Sequence, residues 1–265
     1  MKANNLTVVK DNRVITASYR LSLVEQRVVL AAIAKIDSIS ELSASDGFTV
    51  TVSEISDLFL DSKTSAYSEL KKAINSLYNR TITLDSDGSE RRWIYEKRYN
   101  KDQGSATLFF SPTIIPFLSG LRGNFTQYKL HWIREFKSSY SIRIYELLVR
   151  WTSKGEKEID VDWLKNTLGV SEKYSRTSNF IARVISPAVE EINKHSNLEV
   201  AYGTRKTGRV VTHIQFKFNI KSKASKKTIS TTQTLDKFVR ENPVLTKGKS
   251  TAEVIMLMNK KQSKM

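Results

Sequence analysis

The sequence contains no cysteine, and this absence excludes several kinds of chemistry at once. The chain has no thiol to form a disulfide, to bind a metal as a thiolate or to act as a nucleophile. Such a composition is compatible with a reducing cytoplasm. Long apolar runs are also missing, since stretches such as 28–34 are far shorter than the roughly 20 residues that span a bilayer. Residues 1–10 have no apolar core of signal-peptide length, so we expect a soluble, cytoplasmic protein.

Histidine is scarce, and its three copies are too far apart in the sequence to indicate a metal site. His131, His195 and His213 form neither an H-x-H pair nor an H-E-x-x-H helix. Acidic residues are scattered, without the paired carboxylates of a two-metal nuclease. A GKS stands at 248–250, but Pro243 occupies the position where a phosphate-binding loop requires glycine. The sequence therefore predicts no catalytic residues, no metal and no cofactor, in a protein that is not an enzyme.

Acidic side chains are outnumbered, with 27 Asp and Glu against 43 Lys and Arg, which leaves a net charge of +16. A field of this strength attracts phosphates or acidic lipid surfaces. A membrane-binding amphipathic helix would concentrate its cations, whereas these recur beside predicted turns and helix starts along the whole chain. The charge therefore favours nucleic acid as the partner, and a basic protein with a solvated surface is the alternative.

One order of predicted elements occurs twice along the chain. In the first half an S-x-x-E capping box at Ser22 opens a helix to about residue 36, followed by a strand at 48–52, a short helix at 53–60, a longer helix at 63–79, a strand at 81–84, a turn at 85–88 and a hairpin at 92–110. The second half has a helix at 139–151, a strand at 156–159, a short helix at 161–168, a long helix at 175–194 and a hairpin at 198–218. This order is that of a winged helix. The sequence predicts an α+β fold of two pseudo-symmetric winged-helix domains in tandem.

We place the N-terminal domain at 6–124, the C-terminal domain at 125–220 and a basic, largely disordered tail at 221–265. The tail holds 11 Lys and Arg against 3 acids, and its first part, 221–234, has the composition of a linker. Two short helical patches are predicted at 235–240 and 252–258. A solvated terminus and an arm that binds DNA or a partner are both open for this tail.

The second long helix carries the most informative set of polar residues. Its apolar side chains gather on one side, while Arg176, Asn179 and Arg183 project from the other within about 60° of one another. Arginine suits guanine O6 and N7, and asparagine suits adenine N6 and N7, so these residues predict a surface that reads base edges. A solvated helix face is the alternative. Lys173, Tyr174 and Ser175 precede them, and we expect Lys173 and Tyr174 to approach phosphates.

Other predicted DNA contacts lie in the second hairpin and in the first half. A basic turn at 203–208 matches a wing that lies along the DNA backbone or in the minor groove, with Arg205, Lys206 and Arg209 as its contacts. In the first half the polar side of the longer helix and the start of the hairpin supply Ser65, Ser68, Lys72, Asn75, Arg91 and Arg92. This set is less basic, so we expect lighter contact. The four tryptophans would stack on bases in a reader of single strands, but their apolar-periodic segments favour core packing.

Two segments carry a family resemblance, 139–151 (SYSIRIYELLVRW) and 179–202 (NFIARVISPAVEEINKHSNLEVAY). The first is similar to the Y-S-x-R-x-Y-E-L-L helix of the iteron-binding plasmid replication initiators, the Rep family that includes the F-plasmid type. The second resembles that family's long recognition helix with its P-A-x-x-E-I-N ending and the strand after it. Residues 14–34 also look like the family's opening strand and first helix. The resemblance covers about 6–220, and the tail has no clear counterpart.

The resemblance implies a plasmid replication initiator whose C-terminal domain makes the main sequence-reading contacts, here at 173–183. In such proteins monomers bind directly repeated iterons, open the origin and help to load the host initiator and the replicative helicase. Dimers joined through the N-terminal domain bind an inverted repeat and repress the initiator's own gene. Rotation at a short connection, 120–128 here, would exchange the two geometries. The alternative is a winged-helix transcription regulator without a role in replication. A nicking or integrase-like enzyme is the third interpretation.

Overall fold

The computed structural model describes residues 6–59, 66–84 and 88–221. Several predictions fall outside this part of the chain: the DNA contact at Ser65, most of the turn at 85–88, and the tail after Lys221 with its two helical patches. Within the described residues, no helix combines the length and apolar character needed to cross a membrane.

The first half runs from an N-terminal strand to a hairpin. Its elements are β1 (Thr7–Asp11), α1 (Asn12–Thr16), α2 (Leu23–Ile33), β2 (Gly47–Thr51), α3 (Val52–Phe59), α4 (Ala66–Leu77), β3 (Thr81–Thr83), β4 (Glu90–Arg92), β5 (Ile94–Asn100) and β6 (Ser105–Phe110). The predicted capping box is present, because the Ser22 hydroxyl accepts from the Glu25 N–H at 3.2 Å and the Glu25 carboxylate accepts from the Ser22 N–H at 2.5 Å. The helix α2 ends at Ile33, earlier than predicted, because the backbone then turns through tighter 3-10-type bonds.

The second half repeats this order. One short 3-10 helix (Ile115–Phe117) precedes it, and another (Leu130–Trp132) lies between its first strand and its first long helix. Its elements are β7 (Phe125–Lys129), α5 (Ser139–Val149), β8 (Glu156–Asp160), α6 (Val161–Thr167), α7 (Thr177–Phe180), a π-helical turn (Ile181–Ile185), α8 (Ser186–His195), β9 (Leu198–Thr207) and β10 (Val210–Ile220). The two three-stranded sheets have the strand orders β2-β6-β5 and β8-β10-β9. In both, the strand after the first helix pairs with the second strand of the hairpin. This correspondence confirms two winged-helix domains in tandem.

A strand pair and a buried ion pair hold the two halves together. β1 pairs antiparallel with β7, with Val8 opposite Tyr128. Beneath this pair Lys10 contacts the carboxylate of Glu146 on α5, and both side chains are almost wholly buried. The Tyr128 hydroxyl donates to the same carboxylate at 2.6 Å. Residues 125–128 of the predicted connection are thus fixed in a sheet. The strands β1 and β7 lie on opposite sides of the predicted domain boundary after residue 124. The position of that boundary stays a prediction.

One hydrophobic core runs through both halves, from Val8 to Phe218. Trp93 is fully buried, with its ring 5.0 Å from that of Tyr19 in an edge-to-face contact. Trp132, Trp151 and Trp163 are partly buried and pack against the same core. The predicted core role of the tryptophans is therefore confirmed.

Candidate nucleic-acid interface

Residues 177–195 form one continuous helical segment with a buried apolar side and an exposed polar side. Phe180, Val184 and Ile185 are buried, whereas Asn179 and Arg183 are exposed. The prediction that these two residues face outward from a packed helix is confirmed. Arg176 is also exposed, but it is the residue before the helix, with φ −86° and ψ 123°, and not a residue on the helix face.

The middle of this segment is a π-helical turn and not the uniform α-helix that the sequence predicts. Pro187 has no N–H to donate to the carbonyl of Arg183, and its ring crowds that carbonyl, so a regular α-helical turn is unfavourable there. The N–H of Ser186 instead bonds to the carbonyl of Ile181 five residues earlier. A π-helical turn contains more residues than an α-helical turn. The angle between Asn179 and Arg183 around the helix axis therefore differs from the one expected at 3.6 residues per turn.

The phosphate contact predicted for Tyr174 is wrong, because this side chain is buried. Its ring lies in the core, 6.0 Å from the ring of Phe180, and its side chain is 9% exposed. A bulky apolar ring beside an apolar helix face gains more from burial than from solvent contact. Lys173 and Ser175 are exposed, and the Lys173 ammonium lies 5.4 Å from the ring centre of Tyr174. Tyr174 thus anchors the loop that presents its neighbours.

The second hairpin is longer and tighter than predicted. β9 continues to Thr207, and the chain reverses at Gly208 and Arg209, with Gly208 at φ +62°. The predicted turn at 203–208 is therefore wrong, because all but its last residue belong to a strand. Lys206 and Arg209 are exposed at and beside the tip.

The exposed Arg205 of β9 forms an ion pair with another strand of the second sheet, which the sequence did not reveal. Its guanidinium donates twice to the Glu158 carboxylate of β8, at 2.9 Å for each bond, and Gln215 donates to the same carboxylate at 2.9 Å. These bonds lower the pKa of Glu158, that from Arg205 most. Arg205 is therefore a brace across the sheet in this structure, which corrects its predicted place at the turn tip. No local signal in the sequence identifies Glu158, since the pair spans 47 residues.

In the first half, the predicted contacts on α4 are exposed, and one of them is also bonded to the hairpin. Ser68 and Lys72 are exposed on α4. Asn75, on the same helix, accepts from the Lys97 ammonium at 2.6 Å and from the Tyr99 hydroxyl at 3.0 Å. The helix and the hairpin are therefore tied together through Asn75.

Arg91 and Arg92 lie on the short strand β4 and not at the start of the hairpin as predicted, because β4 pairs separately with β3. Arg92 donates to the carbonyl of Tyr78 at 3.0 Å, and the Arg91 guanidinium lies 5.5 Å from the ring centre of Phe117. Both arginines thus have contacts within the protein in this structure.

Two family models match the chain in the same order as the two domains. The Initiator Replication protein, WH1, matches residues 7–149, and the Initiator Rep protein, WH2, matches residues 160–218. The chain belongs to the family of replication initiator proteins. The resemblance inferred from the sequence is thereby confirmed.

Individual relatives of this initiator agree with the assignment. A "Replication initiation protein" from Escherichia coli is 27% identical over 213 residues, a match that covers 76% of this chain and 66% of that protein. The "PI protein" of Escherichia coli is 26% identical over 240 residues, covering 75% and 78% respectively. The crystal structure of the Pi initiator protein in complex with iteron DNA superimposes with a TM-score of 0.71 at 24% identity, over 83% of this chain and 99% of that one. This last likeness supports the fold of the initiator.

Proposed function

We propose that this initiator binds directly repeated sequences, iterons, in double-stranded DNA at a plasmid origin, and that it acts as a binding protein and not as an enzyme. The observation that carries the proposal is the exposed side of residues 177–195, where Asn179 and Arg183 stand on a helix whose other side is fixed in the core. A rigid helix with exposed Asn and Arg suits base-edge contacts in the major groove. The net charge of +16 supplies the attraction to phosphates.

In this proposal the domains divide the work. The C-terminal domain, 125–220, reads sequence through Arg176, Asn179 and Arg183, while Lys173, Ser175, Lys206 and Arg209 contact the backbone. The N-terminal domain, 6–124, contacts DNA more lightly through Ser68 and Lys72. Four further predicted residues would contact DNA only by giving up the contacts within the protein described above: Asn75, Arg91, Arg92 and Arg205.

We further propose that monomers open the origin and recruit the host initiator and replicative helicase in the cytoplasm, while dimers repress the initiator's own gene through an inverted repeat. The N-terminal domain has a surface that suits a second copy. β5 is an edge strand of its sheet, and among the described residues no strand covers its outer side. Tyr95 on this strand and Ile39 are exposed apolar side chains. Such an edge is a template for pairing between identical chains.

The test is a footprint of the purified protein on the DNA upstream of its own gene. We expect protection of several direct repeats of about 20 base pairs, two turns of the double helix. A footprint confined to one inverted repeat, with no direct repeats protected in the surrounding DNA, would instead identify a transcription regulator. No protection at low salt would refute sequence-specific DNA binding.

A further inference from the structure

A groove of about 470 Å³ lies where the two domains meet, beside the loop that leads into residues 177–195. Its lining comes from both halves of the chain: Arg20 from the segment before α2, and Asn166, Gly169, Ser171, Glu172 and Lys173 from the end of α6 and the following loop. Arg20 is not among the DNA contacts predicted from the sequence.

The segment 16–20 is bonded directly to the end of α6. The Ser18 hydroxyl donates to the carbonyl of Asn166 at 2.6 Å. The buried Arg143 donates from one nitrogen to the carbonyls of Ala17, at 2.8 Å, and Thr167, at 3.3 Å. Arg143 thus joins both walls beneath the groove. Arg20, which lies between α1 and α2 of the first domain, is held beside the second domain.

Gly169 shows how closely the two walls approach. It has φ +63°, a conformation that favours glycine, and a Cβ at this position would lie 2.9 Å from Cβ of Arg20. The same Cβ would lie 3.4 Å from the backbone of Tyr19. The position of Arg20 is therefore fixed by direct contact with the loop that presents the predicted DNA-binding residues.

The groove has the chemistry of a phosphate site. Arg20 and Lys173 are both exposed, and within the described residues Arg20 forms no ion pair or hydrogen bond. Glu172 is the acidic member of the lining, which leaves an excess of one positive charge, and Asn166 and Ser171 add polar groups. An arginine and a lysine that line one groove suit a phosphate diester, to which arginine donates through a planar fork and lysine as a point charge.

We propose that Arg20 and Lys173 together bind one phosphate of the DNA backbone, so that the N-terminal domain contributes a contact to the reading surface of the C-terminal domain. This inference rests on the proposed DNA binding by residues 177–195. The loop with Lys173 runs directly into that helix, whose N-terminal end approaches the DNA in a helix-turn-helix. Because the site exists only when the two domains are docked, DNA bound there also stabilises the docked arrangement.

The test compares Arg20→Gln with Arg122→Gln, an exposed arginine of the same half that does not line the groove. Binding to the footprinted duplex and to random DNA is measured over a range of salt concentrations. For Arg20→Gln we expect an affinity loss of about threefold to tenfold on both DNAs and a salt slope smaller by about one, as for a lost phosphate contact. For Arg122→Gln we expect the wild-type slope. Arg20→Lys, which keeps the charge, should recover most of the loss.

A double variant tests whether the two cations share one phosphate. If they do, Arg20→Gln combined with Lys173→Gln loses less affinity than the product of the two single losses, because the second change removes a contact that is already weakened. A loss equal to the product would assign the residues to separate phosphates and overturn the composite site. A wild-type salt slope for Arg20→Gln would also overturn it. The wild-type footprint separates these outcomes from failure of DNA binding itself.

Discussion

Exposed residues on the helical segment 177–195 should carry the base preference of this initiator. Replacing Arg183 by Ala is expected to cost on the order of 1–3 kcal/mol of cognate binding and to relax the preference at one base pair. Arg176→Ala should have an effect of the same kind. Gel shifts with single-base variants of the footprinted site measure both. Lys194→Ala, at the exposed far end of the same segment, is the control and should leave the preference unchanged.

Lys206 beside the tip of the second hairpin should act on the backbone and not on the bases. Lys206→Ala is expected to weaken binding to cognate and random DNA by the same factor and to reduce the salt slope by about one. Lys217→Ala, farther from the tip of the same hairpin, is the matched control. If Arg183→Ala also lost affinity equally for cognate and random DNA, as is expected for Lys206→Ala, the assignment of Arg183 to base reading would be wrong.

The Glu158–Arg205 brace gives a prediction about pH. Hydrogen bonds from Arg205 and Gln215 hold the pKa of Glu158 below its ordinary 4.5 in the folded protein. A depressed pKa means that the brace contributes stability above the unfolded value and is lost as pH falls through the lowered folded value. Glu158 should therefore keep its charge, and the ion pair with Arg205 should persist, between about pH 5 and 8. An NMR titration of the Glu158 carboxyl should show a midpoint below 4.5, and Arg205→Ala should move it upward.

Single residues also show where sequence periodicity is sufficient and where it is not. Helical spacing predicted that Asn179 and Arg183 face outward, because that property depends only on their own helix. Tyr174 and Arg205 were misplaced, because each is fixed by a partner from another element, Phe180 and Glu158 respectively. Such pairings depend on the tertiary fold and leave no local pattern in the sequence.

Among the elements, the π-helical turn provides a test of how backbone geometry sets base reading. Pro187→Ala restores an N–H that can donate to the carbonyl of Arg183, so the segment can become a regular α-helix. We expect equal or higher stability, but a preference for cognate over random DNA reduced by about tenfold, since Arg183 would rotate relative to Asn179. Thermal unfolding and gel shifts give the two values. Pro112→Ala, at an exposed proline of the first domain, should change neither by this mechanism.

The loop between α6 and α7 requires glycine at one position. Gly169→Ala combines a positive φ with a contact of 2.9 Å to Cβ of Arg20, so we expect a loss of about 1–3 kcal/mol of stability. Urea unfolding measures it. Gly123→Ala is the control, because no atom lies within 4 Å of the position that its methyl group would take and its φ is not positive. Equal stability of the two variants would show that the segment at Arg20 yields without cost.

The element order was predictable, but the lengths of some elements were not. Alternating apolar residues and turn signals predicted both hairpins. In the second, glycines at 203 and 208 suggested a long turn, whereas the pairing of β9 with β10 extends to Thr207 and needs only Gly208 with positive φ. Cross-strand pairing decided between two glycines that look equivalent in the sequence.

At the scale of the whole molecule, the joint between the domains could not be derived from the sequence. The repeated element order predicted two winged helices, and the two sheets have corresponding strand orders. The pairing of β1 with β7, however, links residues more than a hundred positions apart, such as Thr7 and Lys129. Nothing in the spacing of Lys10, Tyr128 and Glu146 indicates that they meet in the core. Contacts of this range follow only from the assembled fold.

The buried Lys10–Glu146 pair should make this joint sensitive to the loss of either charge. Glu146→Gln leaves Lys10 and the nearby Arg143 buried without their carboxylate, so we expect a loss of about 3–5 kcal/mol in unfolding free energy. Tyr128→Phe removes only the hydrogen bond of 2.6 Å and should cost about 1 kcal/mol.

The double variant Lys10→Met with Glu146→Gln distinguishes a buried charge from a simple loss of contact. Because the double change also removes the unpaired lysine, it should recover part of the stability that Glu146→Gln loses. Urea unfolding of the four proteins gives the coupling free energy between Lys10 and Glu146. If the double variant lost more stability than the two single variants together, the pair would not act through its charges. The joint would then depend on the β1–β7 pairing and the apolar core around it.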